Sequence, residues 1–270
     1  MFDFTVEEYN GRVAKTQAAM AKHGLPVLLV HAPESITYLS GFRMLGFFMY
    51  QALIVPAKGD PVLVVRDVEQ PTADIMSWVK DRSVYTDIED PINATARALK
   101  DLGLEGATIG LEYSTWFLTL ERYETLKNLV PKANFVKEPN IVRELRLIKS
   151  PAEIKYLRQA SRVAEKMIGA GFNASRAGAS EHDIASAITV AQIRSGGDGH
   201  LEPIIMTGPR LRSCKVRGEL LLMCLVHNVK KIVKKVLQGT LTLPGRYSNL
   251  IEEAMPGYRE DKLLLVGVVV

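Results

Sequence analysis

The sequence predicts an α/β fold, and three observations carry that prediction. Short runs of branched apolar residues alternate with longer amphipathic stretches over the first 140 residues. Glycine, proline and Ser/Thr/Asp signals punctuate the boundaries between the two kinds of segment. The composition, 47% apolar and 24% charged over 270 residues, is that of a globular protein with room for one large domain or two smaller ones.

Residues 5–23 read as a first helix. Thr5 is placed to cap it, Tyr9, Val13, Ala14, Met20 and Ala21 mark an apolar stripe, and Gly24 stops it. Residues 27–30 (VLLV) form a short buried strand, 31–35 a loop, and 36–39 lead to a turn at Ser40 and Gly41. Residues 52–55 and 62–65 are β-branched runs on either side of a turn at 56–60, the pattern of a hairpin. Helices are expected at 70–80, 91–102 and 115–129, with strands at 108–111 and 135–136. The α/β region ends near residue 140.

Arg143, Arg146 and Lys149 then lie on an extended lead-in to the strongest helix start in the chain. Ser150-Pro151-Ala152-Glu153 is a capping box with proline at the first helical position. Ile154, Leu157, Ala160, Ala164, Met167 and Ile168 follow at helical spacing on one face. A second cap signal falls at Ser180 with Asp183, followed by Ile184, Ala187, Ile188 and Ala191, and Gly196 and Gly197 stop that helix.

Bulk properties exclude several classes. The net charge of +4 is too mild for nucleic acid to be the partner of the whole chain. Cys214 and Cys224 make neither a disulfide framework nor a CxxC metal pattern, so a reducing, cytoplasmic setting is expected. Residues 1–12 carry acids and no continuous apolar core, so no secretory leader is expected there. The longest apolar run, 263–270, falls far below the roughly 20 residues a membrane span needs, so no membrane partner is expected.

Two stretches carry a family resemblance. "LRLIKSPAEIKYLRQASRVAEKMI" resembles the segment that opens the catalytic domain of the creatinase, aminopeptidase P and prolidase family, the pita-bread metallohydrolases. "VLLVHAPESITYLSGF" and "FFMYQALIVPAKGDPVLVVRDVE" resemble the family's N-terminal domain, and "LEPIIMTGPR" the strand and turn that lead towards its active site. The resemblance spans about residues 5–210, with a creatinase-like and ectoine-hydrolase-like flavour. It implies an N-terminal α/β domain, a mixed sheet with flanking helices, at 1–142. A truncated α+β pita-bread segment follows at 143–210, and a divergent basic tail at 211–270.

The family's chemistry is hydrolysis of a C–N bond by metal-bound hydroxide. The resemblance implies two divalent metals, manganese, cobalt or zinc, held by two aspartates, a histidine and two glutamates. Those ligands lie downstream of the point matching Arg210, and the pattern breaks there. The "TGPR" turn is followed by Leu211-Arg212-Ser213-Cys214-Lys215 with no histidine before His227, and Asp261 is the sole aspartate after Asp198. No metal ligands are assigned and no bound cofactor is expected. Residues 210–235 instead hold eight arginines and lysines against Glu219, and "KVRGELLLMCLVHNVKKIVKKVL" resembles the C-terminal end of insertion-sequence DDE transposases.

Individual residues are weighed on that background. His200, ahead of the strand that approaches the active site in the family, is the candidate catalytic group. Arg66, after the strand VLVV, matches a position where the N-terminal domain of creatinase-like enzymes helps to recognise substrate across the dimer. His23, His31 and His182 read as surface or loop histidines, and His227 with Cys224 as packing, since two ligands do not make a site. The run 230–235 reads as the solvated face of a helix; without interleaved aromatics, nucleic acid is an unlikely partner. The expectation is thus a family member that is an incomplete, inactive fragment. Its substrate, if active, would be a peptide or small amidine. A non-catalytic remnant that dimerises through its N-terminal domain, and a transposase-derived nucleic-acid-binding tail, stand as alternatives.

Overall fold

The computed structural model describes residues 3–197 except 44, 45, 47, 114 and 177, together with residue 205. The chain divides into two compact units, Met1–Ala152 and Glu153–Val270. Expectations for His200, for residues 206–270 and for the basic run at 210–235 lie outside the described residues.

The first unit is built on a six-stranded sheet in the order β4-β3-β2-β1-β5-β6. Its strands are β1 (Val27–Val30), β2 (Ala52–Pro56), β3 (Val62–Arg66), β4 (Arg82–Tyr85), β5 (Thr108–Leu111) and β6 (Asn134–Lys137). β2 runs antiparallel to both neighbours, and the expected β2–β3 hairpin is present. The β1–β5, β5–β6 and β3–β4 pairs are parallel. Five strands therefore point the same way and deliver their carboxyl ends to one edge. β1 is fully buried along its length, as an inner strand covered on both faces must be.

Helices α1 (Val6–Lys22), α2 (Pro33–Ser40), α3 (Gln70–Met76) and α6 (Ile141–Leu145) belong to the core of one face, around Leu28, Val30, Leu53 and Leu63. Helices α4 (Pro91–Asp101) and α5 (Leu120–Leu129) cover the other, around Leu29, Ile54, Val64 and Ile109. Thr5 caps α1 as expected, accepting from the Glu8 amide. The buried stripe differs from the expected one: Ala14 and Ala21 are exposed, while Arg12 and Thr16 are buried. The Arg12 guanidinium lies 4.1 Å from the Phe4 ring and 4.5 Å from the Tyr38 ring, so its charge is covered by aromatic faces.

Four local expectations are corrected. Residues 33–35 open α2 rather than belong to a loop, because Pro33 supplies the fixed φ of a first helical turn. Gly41 ends α2 at φ +77°, and a Cβ there would lie 2.8 Å from both the Met76 carbonyl and the Tyr9 hydroxyl. α3 is shorter than 70–80, and β4, not anticipated, takes up the next chain segment. α5 starts at Leu120, where Thr119 accepts from the Arg122 amide. The lead-in at 141–145 is helical, not extended.

The second unit contributes α7 (Pro151–Ala174) and α8 (Glu181–Arg194). α7 begins at the expected proline. Ser180 and Asp183 form the expected reciprocal capping box of α8. Met167, Ile184 and Ile188 make a small core, while Ile154, Leu157 and Ile168 of the expected α7 face are partly exposed.

Candidate functional site

The carboxyl edge of the first unit's sheet gathers its chemistry. His31 follows β1, Arg66 ends β3, Tyr85 ends β4, Glu112 follows β5 and Glu138 follows β6. Open α/β sheets bind ligands in the crevice outside these strand ends, because the loops there are free to vary while the strands hold them in register.

At the β1, β5 and β6 end the edge opens into a cleft of about 310 Å³. Glu112 and Glu138 face it, 9% and 5% exposed. Both carboxylates accept backbone amides. Glu112 Oε2 takes the His31 and Ala32 N–H groups, each at 2.8 Å, at the start of α2. Glu138 Oε2 takes the Ile141 N–H at 2.6 Å, at the start of α6. Burial pushes both carboxyls above the usual range; the amide bonds pull them down, and the neighbouring Glu138 charge adds to the rise at Glu112. Neither forms an ion pair among the described residues. Gly110 of β5 leaves room for this arrangement: a Cβ there would come within 3.4 Å of Glu138 Cβ and 3.0 Å of a Leu25 methyl.

The walls of the cleft are chemically different. Arg143 comes from α6 and Arg146 from its C-cap, Glu34 from α2, and Trp116 from the loop after β5. Arg146 lies 3.9 Å from Glu34, a long contact. Arg143 is exposed and has no acidic partner among the described residues. The Trp116 ring is 85% exposed.

Further along the edge, His31 corrects its sequence reading: it is fully buried. Its Nε2 lies 3.2 Å from the Tyr50 hydroxyl, which lies 2.8 Å from Thr95 Oγ1. Tyr85 donates to the Tyr50 carbonyl at 2.6 Å, and the Arg122 guanidinium sits 5.2 Å from the Tyr50 ring. Burial, with help from the Arg122 charge, pushes the His31 pKa down to about 3, so the imidazole is neutral. A hydrophobic strand end followed by HAP looks like a loop start in sequence, and nothing local shows that Tyr50 and Thr95 close over it.

Arg66 lies on the other flank of the sheet order from Glu112 and Glu138. Its guanidinium grips the Asp87 carboxylate with two bonds. His23 and His182 are exposed, as expected, and His200 lies outside the described residues. Sequence reasoning missed Glu112, Glu138 and Trp116. The available signal was that strands TIGL and NFVK are each followed at once by a glutamate.

Among the described residues no group of three or more His, Cys, Asp or Glu side chains is placed to hold a metal. The two cleft glutamates do not fit the ligand set that the family resemblance implies, since their carboxylates already bind helix-start amides. Among the described residues no helix is long and apolar enough to cross a membrane.

This architecture defines an α/β domain with a crevice at the carboxyl ends of parallel strands. The sequence profile of the Creatinase/Prolidase N-terminal domain matches residues 12–148, and the chain belongs to that family. It is 28% identical over 173 residues to an ectoine hydrolase of Halomonas elongata, covering 61% of this chain and 43% of the relative. It is also 28% identical over 163 residues to a Xaa-Pro dipeptidase of Lactobacillus helveticus, covering 60% and 44%. The prolidase structure from Pyrococcus horikoshii superposes with a TM-score of 0.59 at 24% identity, over 74% of this chain and 53% of that one. A prolidase from Thermococcus sibiricus gives 0.62 at 24% identity, over 74% and 54%. These likenesses show the fold, an α/β domain leading into the opening of a pita-bread segment. The chain spans about half the length of the curated relatives it matches.

Proposed function

We propose that this chain is a member of the creatinase and Xaa-Pro peptidase metallohydrolases that carries the N-terminal domain and the first helices of the catalytic half without the metal-ligand set. The division into 1–142, 143–210 and 211–270 goes with that reading. Its carrying observation lies after Arg210: residues 211–270 hold one histidine, His227, and one aspartate, Asp261. The ligand set that the family resemblance implies calls for two aspartates, and Asp261 is the single aspartate after Arg210. A complete ligand set holding manganese, cobalt or zinc would supply the chemistry for hydrolysing a C–N bond in a peptide or small amidine; this chain is not expected to do so.

A binding role is the second reading, and the N-terminal unit carries it. Ile88, after β4, is 98% exposed, an apolar side chain that a second copy of the domain would cover. Two cysteines without a bridging pattern suit a reducing cytoplasm.

Elemental analysis tests the first reading. The purified protein is equilibrated with manganese, cobalt and zinc, desalted, and assayed on Xaa-Pro dipeptides and creatine. Less than stoichiometric metal and no turnover is the expected outcome. About two metals per chain, or metal-dependent hydrolysis of either substrate, overturns it.

A further inference from the structure

We propose that α7 is a docking surface for an acidic amphipathic helix of a partner polypeptide. The inference concerns the second unit alone and stands whether or not the chain is an enzyme.

Three faces run along α7. At about 100° per residue, Val163, Met167 and Gly171 fall on one side. That side is turned to α8, where Met167 packs with Ile184 and Ile188. Ile154, Leu157, Ile168 and Phe172 fall within about 60° of one another on a second face, roughly a third of a turn from the first. They are 37% to 59% exposed, so α8 does not cover them. Lys155, Arg158, Arg162 and Lys166 make the third face, on the flank of the apolar stripe away from α8. All four are exposed, and none has an ion pair or hydrogen bond among the described residues. From Ile154 to Phe172 the stripe runs for about 27 Å.

An apolar stripe with cations on one flank selects its occupant by shape and by charge. Both rows repeat at helical spacing, so a second helix laid along α7 meets them at matching intervals. Apolar side chains on that helix would cover the stripe, and carboxylates along one edge would face the four cations. The charge pairs set register and choice of partner more than affinity. A second copy of α7 would bring four more cations against Glu153 and Glu165. The chain's own run at 210–235 is also basic, with eight arginines and lysines against Glu219. A membrane surface suits a helix with cations on both flanks of its apolar face, from which they reach the headgroups. On α7 the flank towards α8 carries none.

The test uses the full chain and two synthetic peptides about five helical turns long. Both carry leucines at helical spacing. The probe has glutamates along one flank, and the control has lysines at the same positions. Binding is followed by fluorescence anisotropy of the labelled peptide. The expected result is saturable binding of the glutamate peptide, with the lysine peptide at least about tenfold weaker. Arg158→Glu together with Arg162→Glu, on exposed side chains, should reverse that order. Leu157→Ser should weaken the glutamate peptide about tenfold with the circular dichroism unchanged. A photo-crosslinking p-benzoylphenylalanine in place of Phe172 should link to the bound peptide. Equal binding of the two peptides, an order that the charge reversal leaves unchanged, or no saturation at high micromolar peptide overturns the proposal. Photo-crosslinking to residues 206–270 of the same chain, or to a second copy, in the presence of the peptide also overturns it. Flotation with phosphatidylserine vesicles in place of peptide binding does the same.

Discussion

The strand β1 and the helix α7 sit at opposite extremes of burial in one chain. All four residues of β1 are fully buried, flanked by strands on both sides and by helices on both faces. α7 runs for 24 residues, of which Met167 and Gly171 are buried. Both segments announce themselves in the sequence, β1 by its branched apolar run and α7 by its start signal and apolar spacing. Spacing tells which face of an element is apolar. It does not tell whether that face finds a partner. In the N-terminal unit β1 finds partners both near along the chain, in β2, and far along it, in β5. In the second unit the described partner of α7 is α8 and little else.

The largest expected effect is the contrast between two leucines. Leu53→Ala, at a fully buried position in β2, should cost about 3 kcal/mol in urea unfolding monitored by circular dichroism. Leu157→Ala, on the half-exposed face of α7, should change the same transition by less than about 0.5 kcal/mol. Similar costs at both sites would mean that the α7 face is covered in solution, and the comparison would fail.

The pH response should follow as the next effect. The unfolded His31 titrates near 6.5 and the folded one near 3. The unfolded state therefore binds the extra proton, and the stability present above pH 6.5 is lost as pH falls towards 3. By pH 4, about 2.5 units below the unfolded value, that loss should reach about 3 kcal/mol. The burial-raised carboxyls of Glu112 and Glu138 act in the opposite sense, favouring the folded state as they protonate, and offset part of it. Urea midpoints measured from pH 7 to pH 4 should fall, and His31→Leu should flatten the slope. An unchanged slope in that variant would move the cause elsewhere.

The smallest effect is expected at Arg66. Its partner Asp87 is 60% exposed, and water and salt screen an exposed ion pair so that it contributes little to stability. Arg66→Ala should barely shift the midpoint. A larger drop would show that this pair ties β3 to the segment after β4 more firmly than its exposure suggests.

Much of the fold was legible in the sequence because its signals are local. The β2–β3 hairpin, the proline start of α7 and the Ser180–Asp183 box each depend on residues within a few positions of one another. β4 was not legible, since RSVY has no apolar run, and only β3 beside it makes those residues a strand. The candidate site was mostly hidden for the same reason. Arg66 was picked out by resemblance, yet the structure sets it on the far flank from the cleft glutamates.

The sequence by itself determined the family and most of the elements, β4 and α6 excepted, because these rest on residue identity and short-range spacing. Tertiary structure alone decided that His31 is buried against Tyr50 and that Glu112 and Glu138 share one cleft. Those residues lie far apart along the chain. The parallel pairing of β1, β5 and β6 is what brings their carboxyl ends to the same edge.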